Sequence, residues 1–242
     1  MHPESEALEV RAVMPHNTIL AAVAGSKAFG LDTPESDTDF TGVFVTPLRK
    51  FVDPRGHGAD TITKSVANGD PVDAAFHELG KFCRLALAGN PTVLETLWSP
   101  PRYLTPAGIG LTEARRGFLS KASLKPYFGY YTSQRRRLEA GMSVHTTGGE
   151  WNPKFGAHML RLLLAAEHLA KTGEVLVSLR EHTDYALLKS VRAGEVEQGK
   201  CLELTDRWYK DAQAAETTTV LPDHPDGDAA AAFVYETRLA YK

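Results

Sequence analysis

Short apolar runs separated by polar segments mark the first part of the chain. The runs at Thr18–Ala24 and residues 40–45 are continuous and are bounded by turn-forming residues, which predicts two buried strands. Gly25 and Ser26 directly follow the first run, so a turn into a short helix is expected there. A third strand is predicted near residues 61–66.

A change to helical spacing follows these strands. Asp70 is a suitable N-cap with Pro71 at the first helical position, and Gly89 is a suitable residue to end the helix. The apolar residues between them recur at helical spacing: Ala75, Leu79, Phe82, Cys83 and Ala86. We therefore predict one helix from residue 70 to Gly89, and a short helix over residues 92–98.

The second half of the chain has an almost wholly helical pattern. Ser99-Pro100-Pro101 is the best candidate for a domain boundary. Helices are predicted at residues 111–122, 125–140, 153–172, 181–192 and 229–239, with a loop over residues 141–151. The expected fold class is α/β (α+β), with an α/β domain at residues 1–100 and an α-helical region at residues 101–242.

Composition narrows the class of protein. The 242 residues are 43% hydrophobic and 24% charged, which is ordinary for a globular protein. We expect no membrane segment, because no apolar run approaches the roughly 20 residues that a span requires. The two cysteines, Cys83 and Cys201, lie far apart and form no metal-binding pair. A reducing compartment, the cytoplasm, is the predicted location.

Charge is unevenly distributed along the chain. Residues 1–100 carry a net charge of −5 and residues 138–242 another −5, whereas residues 115–137 carry +7 and no acid. An acidic half beside a basic segment suits a metal site next to a surface that binds a polyanion. Arg135, Arg136 and Arg137 are our candidates for contacts to RNA phosphates.

The most informative stretch lies between the first two predicted strands. Asp37 and Asp39 are two residues apart, so on an extended strand both point to one face. Aspartate is unfavourable in strands, and paired carboxylates suit hard divalent cations. Gly25 and Ser26 open a predicted helix whose backbone N–H groups could bind an anion. Together these features suggest nucleotide chemistry.

Nucleotidyl transfer with two metal ions needs a third carboxylate. Asp73 is the favoured candidate, at a strand-to-helix junction that faces the pair. The alternative is that Asp73 is simply the third residue of a helix capped by Asp70, where an acid favours the helix dipole. The other candidates for the third ligand are Asp53, Asp60 and Asp70, with Glu78 as a weaker substitute.

The predicted helix at residues 153–172 carries a basic stripe. Lys154, His158 and Arg161 are spaced four and three apart and so share one face. The stripe could bind a triphosphate or an acceptor strand, or it could be an ordinary solvated helix face. The aromatic residues within 118–131 suit stacking on bases, but their spacing also fits a helical core, which we favour at least in part.

Several segments resemble one family of enzymes. GSKAFGLDTPESDTDFTGVFV is similar to the signature of the DNA polymerase beta-type nucleotidyltransferase superfamily. Three more segments resemble the RlaP-like nucleotidyltransferases associated with RNA repair: VDAAFHELGKFCRLALAGNPTVLETLWSP, FGYYTSQRRRLE and NPKFGAHMLRLLLAAEHLAKTGE. LPDHPD near the end agrees with them, so the resemblance covers nearly the whole chain.

The resemblance implies a palm-like mixed sheet with flanking helices and two Mg²⁺ ions, which Mn²⁺ could replace. It implies metal ligation and catalysis by Asp37, Asp39 and Asp73. The nucleotide would be bound through Gly25 and Ser26, and through the three basic residues of the 153–172 helix, Lys154, His158 and Arg161.

The sequence therefore predicts an enzyme, a nucleotidyltransferase that uses an NTP. It would move a nucleoside monophosphate to a hydroxyl, with the end of an RNA or tRNA as the expected acceptor. Within the same chemistry the acceptor could be a protein or a small molecule such as an aminoglycoside. A non-catalytic module that only binds nucleotide or RNA is the alternative from another class.

Overall fold

A mixed sheet forms the centre of the N-terminal part. The computed structural model describes residues 10–56, 58–66, 72–139 and 151–241, and within them five strands follow the spatial order β3-β4-β2-β1-β5. Strands β2 and β4 are parallel and the other neighbouring pairs are antiparallel. The strands are β1 Thr18–Ala24, β2 Thr38–Phe44, β3 Thr61–Val66, β4 Val72–Glu78 and β5 Pro101–Leu104.

Helices connect and follow these strands. In the N-terminal part they are α1 Gly25–Phe29, α2 Leu48–Phe51, α3 Leu79–Leu87, α4 Pro91–Trp98 and α5 Pro106–Glu113. Two 3₁₀ turns, Ala114–Phe118 and Lys121–Ser123, come next. The remaining helices are α6 Leu124–Glu139, α7 Pro153–Thr172, α8 Tyr185–Ala193, α9 Gln198–Thr217 and α10 Gly227–Ala240.

Alternation along the strands places one apolar core cluster on one face of the sheet, while Leu20, Ala22 and Val43 are buried on the other face. The core residues of this cluster are Ala21, Val23, Phe40, Phe44, Val72, Ala74 and Phe76, with Val10 and Val13 packed against them. Because side chains alternate along a strand, the residues between them point to the opposite face. Asp39 and Asp73 are therefore on the face opposite this core.

The predicted strands are confirmed, and the predicted helix from residue 70 is wrong in its first half. Val72–Glu78 is strand β4, and the helix begins only at Leu79 with Glu78 as its N-cap. Burial alternates in β4, with Val72 buried and Asp73 exposed, and β4 pairs along its length with β2. Pairing with a distant strand overrides the local helical spacing. Asp73 is thus a strand residue, while Asp70 lies outside the described residues.

The helical second half is confirmed with changes at its boundaries. Residues 153–172 form α7 as predicted, and α6 covers the prediction at 125–140 up to Glu139. The helix predicted at residues 111–122 is wrong, because α5 ends at Glu113 and gives way to 3₁₀ turns. The 20-residue helix α9 was not predicted. The predicted loop lies, up to residue 150, outside the described part of the chain.

Contacts within the chain divide it into two units. The first comprises residues up to Leu119 together with those from Pro225 onward, and the second comprises Ser120–His224. The C-terminal helix α10 therefore belongs to the unit that contains the sheet. The domain boundary expected near residue 100 stays a prediction. Within the described residues, no helix is long and apolar enough to cross a membrane.

Candidate active site

Asp39 and Asp73 are direct neighbours in the sheet. They are register partners in the parallel pair of β2 and β4, and Asp39 is also the partner of Ala24 on β1. Paired residues share a face, so both aspartates lie on the face opposite the apolar core. Asp39 is half-buried and Asp73 is exposed. Two of the three predicted carboxylates therefore lie next to each other.

Gly25 lies directly against the carboxylate of Asp39. Its φ of 63° is in the left-handed region that favours glycine. A Cβ atom at this position would clash with Oδ2 of Asp39. Gly25 is thus required both for the turn that ends β1 and for the space that the Asp39 carboxylate occupies.

The segment between α1 and β2 presents the other aspartate. The Leu31 amide donates to the Ser26 carbonyl at 2.9 Å, which closes the turn that contains the Gly-Ser pair. Thr33 and Ser36 hold the following loop through hydrogen bonds between their backbone and side-chain atoms, with the Thr33 amide 2.9 Å from Ser36 Oγ. Asp37 follows this loop, one residue before β2, and is exposed.

Lys27 makes a contact with the aspartate motif that the sequence interpretation missed. It follows Gly25 and Ser26, and its Nζ donates to Thr38 Oγ1 at 2.5 Å. Thr38 lies between the two aspartates of the motif. The position of a lysine directly after the Gly-Ser turn was the available sequence signal. Thr38 is fully buried and pairs with Val72, so by alternation this contact lies on the face opposite Asp39 and Asp73.

The carboxylates have the donor chemistry that a hard divalent cation needs. Asp37, Asp39 and Asp73 offer only oxygen ligands, and two of them are register neighbours on one face. In the described part of the chain, no three His, Cys, Asp or Glu side chains are grouped closely enough to hold a metal ion. The donor set therefore fits Mg²⁺, while the three side chains do not form a complete ligand group.

The structure assigns Glu78 a different role from metal binding. Its side chain accepts two hydrogen bonds from Arg238 Nη2, at 2.8 and 2.7 Å, and one from the Gly80 amide at 2.7 Å. Glu78 is fully buried in this arrangement. Asp53, another candidate, binds Arg55 at the surface at 2.7 Å. Among the described alternatives, Asp73 is thus the carboxylate next to Asp39.

The predicted basic stripe on α7 lies in the second unit, and its three residues differ in their exposure to solvent. Lys154 is exposed, His158 is half-buried, and Arg161 is only 4% exposed. Burial, and then the charges of Arg161 and Lys154, lower the pKa of His158 to about 3. His158 is therefore neutral near pH 7 and adds no positive charge to the stripe. Its ring packs edge-on against Tyr130 at 5.8 Å.

The three consecutive arginines at the end of α6 differ in their surroundings. Arg135 donates to Glu139 at 2.6 Å, to Thr205 at 2.8 Å and to Asp206 at 3.0 Å. Arg136 and Arg137 are exposed.

The aromatic residues of α6 serve mainly as core. Tyr127 is buried, and Tyr131 is buried and stacks on Tyr209 at 5.1 Å between ring centres, whereas Tyr130 is about half exposed. The preference for a core role is therefore confirmed for Tyr127 and Tyr131.

Asp39 and Asp73 thus lie near the starts of two neighbouring strands, beside the Gly-Ser turn. The model of the RlaP family, described as the RNA repair pathway DNA polymerase beta family, matches residues 3–198. The chain therefore belongs to the RlaP family, and the resemblance inferred from the sequence is confirmed. Membership supports nucleotidyltransferase activity and use of a divalent metal.

Two further similarities accompany this match. An alignment over 127 residues shows 28% identity to an uncharacterized 38.9 kDa protein in the nrdC-mobD intergenic region of Enterobacteria phage T4. That match covers 48% of this chain and 37% of the phage protein, so it spans about a third of the relative's length. A nucleotidyltransferase-like protein from Exiguobacterium sibiricum 255-15 aligns with a TM-score of 0.34 and 12% identity, over 96% of this chain and 78% of that one.

Proposed function

We propose that this protein transfers a nucleoside monophosphate from an NTP to a hydroxyl group at the end of an RNA or tRNA, in the cytoplasm. The observation that carries the proposal is the register pairing of Asp39 with Asp73, with the Asp39 carboxylate directly against Gly25. Membership of the RlaP family supports the same chemistry. ATP is the first NTP to test.

The residues of the first unit have distinct roles in this reaction. The acceptor hydroxyl oxygen attacks the α-phosphorus of the NTP. The bond between the α-phosphorus and the oxygen that bridges the α- and β-phosphates breaks, and pyrophosphate leaves. Asp73, exposed beside Asp39, accepts the proton of the attacking hydroxyl. The turn at Gly25 and Ser26 binds the β- and γ-phosphates.

A divalent cation is part of the proposal. Asp37, Asp39 and Asp73 would hold Mg²⁺, or Mn²⁺ in its place, through carboxylate oxygens. When bound, such ions neutralise charge on the phosphates and make the attacking hydroxyl more acidic.

The basic residues of the second unit are proposed to bind phosphates. Lys154 and Arg161 are the candidates for the triphosphate, with His158 as a neutral hydrogen-bonding group. The exposed Arg136 and Arg137 are the better candidates for RNA phosphates, because Arg135 already binds Glu139 and Asp206. A polyanionic acceptor is favoured over a small molecule because these charges lie close together in the chain.

The test is incubation with each of four labelled NTPs, Mg²⁺ and total RNA, with the products resolved by size. Asp39→Asn should lower the rate by at least about 10²-fold, the size of effect expected when one charge-stabilising group is removed from a preorganised site. Glu35→Gln is the matched control, since Glu35 is an exposed acid of the same segment. It should keep the wild-type rate.

Two results would overturn the proposal. One is the absence of transfer by the wild type to any RNA, and the other is an unchanged rate in Asp39→Asn. Calorimetry distinguishes the non-catalytic alternative, because NTP binding that is indifferent to Mg²⁺ and to the loss of Asp39 would support a binding module. Transfer that is insensitive to salt would favour a small-molecule acceptor.

A further inference from the structure

A hydrogen-bonded chain of three side chains lies at the far end of β4 from the aspartates. Lys81 Nζ donates to Thr61 Oγ1 at 2.6 Å, and Thr61 Oγ1 is 3.0 Å from His77 Nδ1. Lys81 has only donors, so the Thr61 oxygen accepts from it and the Thr61 hydroxyl hydrogen can be donated to Nδ1. In this arrangement Nε2 of His77 carries the hydrogen and is a donor.

His77 has the same orientation in the sheet as the aspartates. Phe76 belongs to the apolar core, so His77 lies on the opposite face, two alternations along β4 from Asp73. Four residues of strand separate them by about 13 Å. Burial, and then the charge of Lys81, lower the pKa of His77, so its ring is neutral at physiological pH.

The surface between Asp73 and His77 carries small polar groups. Ser65 is the register partner of Asp73, Thr63 of Ala75 and Thr61 of His77, so all three β3 residues share this face. Ser65 and Thr63 are exposed, and Ala75 and His77 are half-buried. The face of the β3–β4 pair is thus a row of hydroxyls that runs from a carboxylate to an imidazole and an ammonium group.

This row suits a sugar–phosphate strand better than a polypeptide. An apolar peptide segment would need large apolar side chains to pack against, whereas this row offers hydroxyls, an imidazole and one cation. Hydroxyls, imidazole N–H groups and ammonium groups are the donors that contact phosphates and ribose hydroxyls. The direction of the row also fits a bound RNA strand, because the reacting hydroxyl at the end of that strand would be placed at the carboxylate end.

We propose that the β3–β4 face binds the single-stranded end of the RNA acceptor, with Lys81 and His77 contacting the backbone on the side away from Asp73. This inference rests on the proposed function, because the direction of the strand is set by the reacting hydroxyl near Asp73. Thr61 is a positioning residue that links Lys81 to His77. Lys81 supplies the charge and His77 supplies a fixed donor.

Lys64 gives a matched control on the same strand pair. It is exposed and is the register partner of Ala74, a core residue, so it points to the opposite face from Thr63 and Ser65. Lys81→Ala and Lys64→Ala each remove one positive charge from the same part of the unit. A difference in RNA affinity between the two variants therefore shows which face of the sheet binds RNA, because the change in net charge is the same in both.

Binding of a labelled single-stranded oligoribonucleotide is measured between 50 and 200 mM salt without NTP. Lys81→Ala should bind more weakly and should reduce the slope of log affinity against log salt by about 0.7, the value for one lost phosphate contact on a single strand. Lys64→Ala should match the wild type. His77→Ala should weaken binding, and His77→Gln, which keeps a side-chain N–H donor, should restore part of it.

Equal affinities and slopes for Lys81→Ala and Lys64→Ala would overturn the inference, as would unchanged binding by His77→Ala. If this face binds a polypeptide instead of RNA, the two lysine variants should also have equal RNA affinities and slopes. Weaker RNA binding by Lys81→Ala than by Lys64→Ala excludes that alternative. Thermal melting of each variant tests its folding, and Lys81→Gln replaces Lys81→Ala if the latter unfolds.

Transfer kinetics separate this inference from the proposed function. Lys81→Ala should raise the KM for RNA more than it lowers kcat, whereas Asp39→Asn should lose kcat and keep RNA affinity. If the wild type transfers nucleotides but Lys81→Ala binds RNA normally, the face proposal is wrong and the function stands. If RNA binding depends on Lys81 but no transfer occurs, the proposed function is wrong.

Discussion

Arg238 and Glu78 form a buried ion pair across 160 residues of sequence. Nη2 of Arg238 donates to both carboxylate oxygens, at 2.8 and 2.7 Å, and the guanidinium lies 3.6 Å from the centre of the Phe51 ring. Glu78 also caps α3 through the Gly80 amide. The C-terminal helix α10 is therefore anchored at the junction that follows β4, five residues after Asp73.

Loss of Arg238 should destabilise the first unit strongly. Arg238→Ala leaves the Glu78 carboxylate buried without its charged partner, which typically costs about 3–5 kcal/mol. Urea unfolding measures the change. Arg84→Ala, which removes an exposed arginine from the adjacent helix α3, should change the free energy of unfolding by less than about 0.5 kcal/mol. Similar losses in both variants would contradict the anchoring role.

Gly25 should tolerate no side chain. Gly25→Ala meets two penalties, the left-handed φ of 63° and a clash with Asp39 Oδ2. Gly56→Ala is the matched control, since its φ is 105° but nothing lies within 4 Å of the added Cβ. The control should lose about 1–2 kcal/mol from backbone strain alone.

Gly25→Ala should lose more stability than the control and should also lose nucleotidyl transfer. Urea unfolding and the transfer assay measure the two effects. A variant with normal transfer would show that the close approach of Asp39 to Gly25 is not needed for the reaction.

Asp73 and Glu78 should respond differently to removal. Asp73→Ala removes an exposed carboxylate, so the variant should fold normally and lose transfer by about 10²-fold or more. Glu78→Ala should lower the free energy of unfolding, because it breaks the pair with Arg238. Asp70→Ala should keep the wild-type rate of transfer and the wild-type free energy of unfolding. Normal transfer in Asp73→Ala, with loss in Asp70→Ala, would move the third carboxylate to residue 70.

Strands β1 and β2 could be predicted from the sequence. That residues 72–78 form a strand, β4, and not the start of a helix could not. Apolar runs defined β1 and β2, because these strands are buried along almost their whole length. The Asp70-Pro71 pair before β4 is typical of a helix start in the sequence, and the apolar spacing continues from β4 into α3. The parallel pairing with β2 that makes it a strand is not visible in any local window.

One other feature depended on a distant partner. Glu78 was a candidate ligand in the sequence, and only the position of α10 shows that Arg238 binds it. Helix α9 was missed because its buried face, which includes Cys201, Leu204 and Trp208, is small and is surrounded by charged residues. The roles of Asp37 and Asp39 stay predictions that rest on their spacing in the motif.

His158 should make the stability of the protein depend on pH. Its pKa is lowered to about 3 in the folded state, from an ordinary value near 6.5, so the unfolded chain binds more protons between these values. This contribution to stability is complete above about pH 6.5 and is lost progressively as the pH falls towards 3.

The expected slope approaches about 1.4 kcal/mol per pH unit in this window for one proton. Urea unfolding of the wild type and His158→Gln at several pH values measures it, and the variant should have a shallower dependence. His224→Gln, which alters an exposed histidine in the same unit, is the control and should keep the wild-type slope. Parallel pH curves for wild type and His158→Gln would contradict the burial of this ring.

The arginines that end α6 should separate into a structural and a binding group. Arg136→Ala with Arg137→Ala removes two exposed charges, so RNA affinity should fall and the salt slope should decrease by about 0.7 for each lost phosphate contact. Arg135→Ala breaks bonds to Glu139, Thr205 and Asp206, so it should cost about 1 kcal/mol of stability. Because Arg135 is already neutralised by two acids, its loss should change the salt slope less than the loss of either neighbour. Filter binding across a salt series, with urea unfolding of the same variants, measures both quantities, and a larger slope change in Arg135→Ala would reverse the assignment.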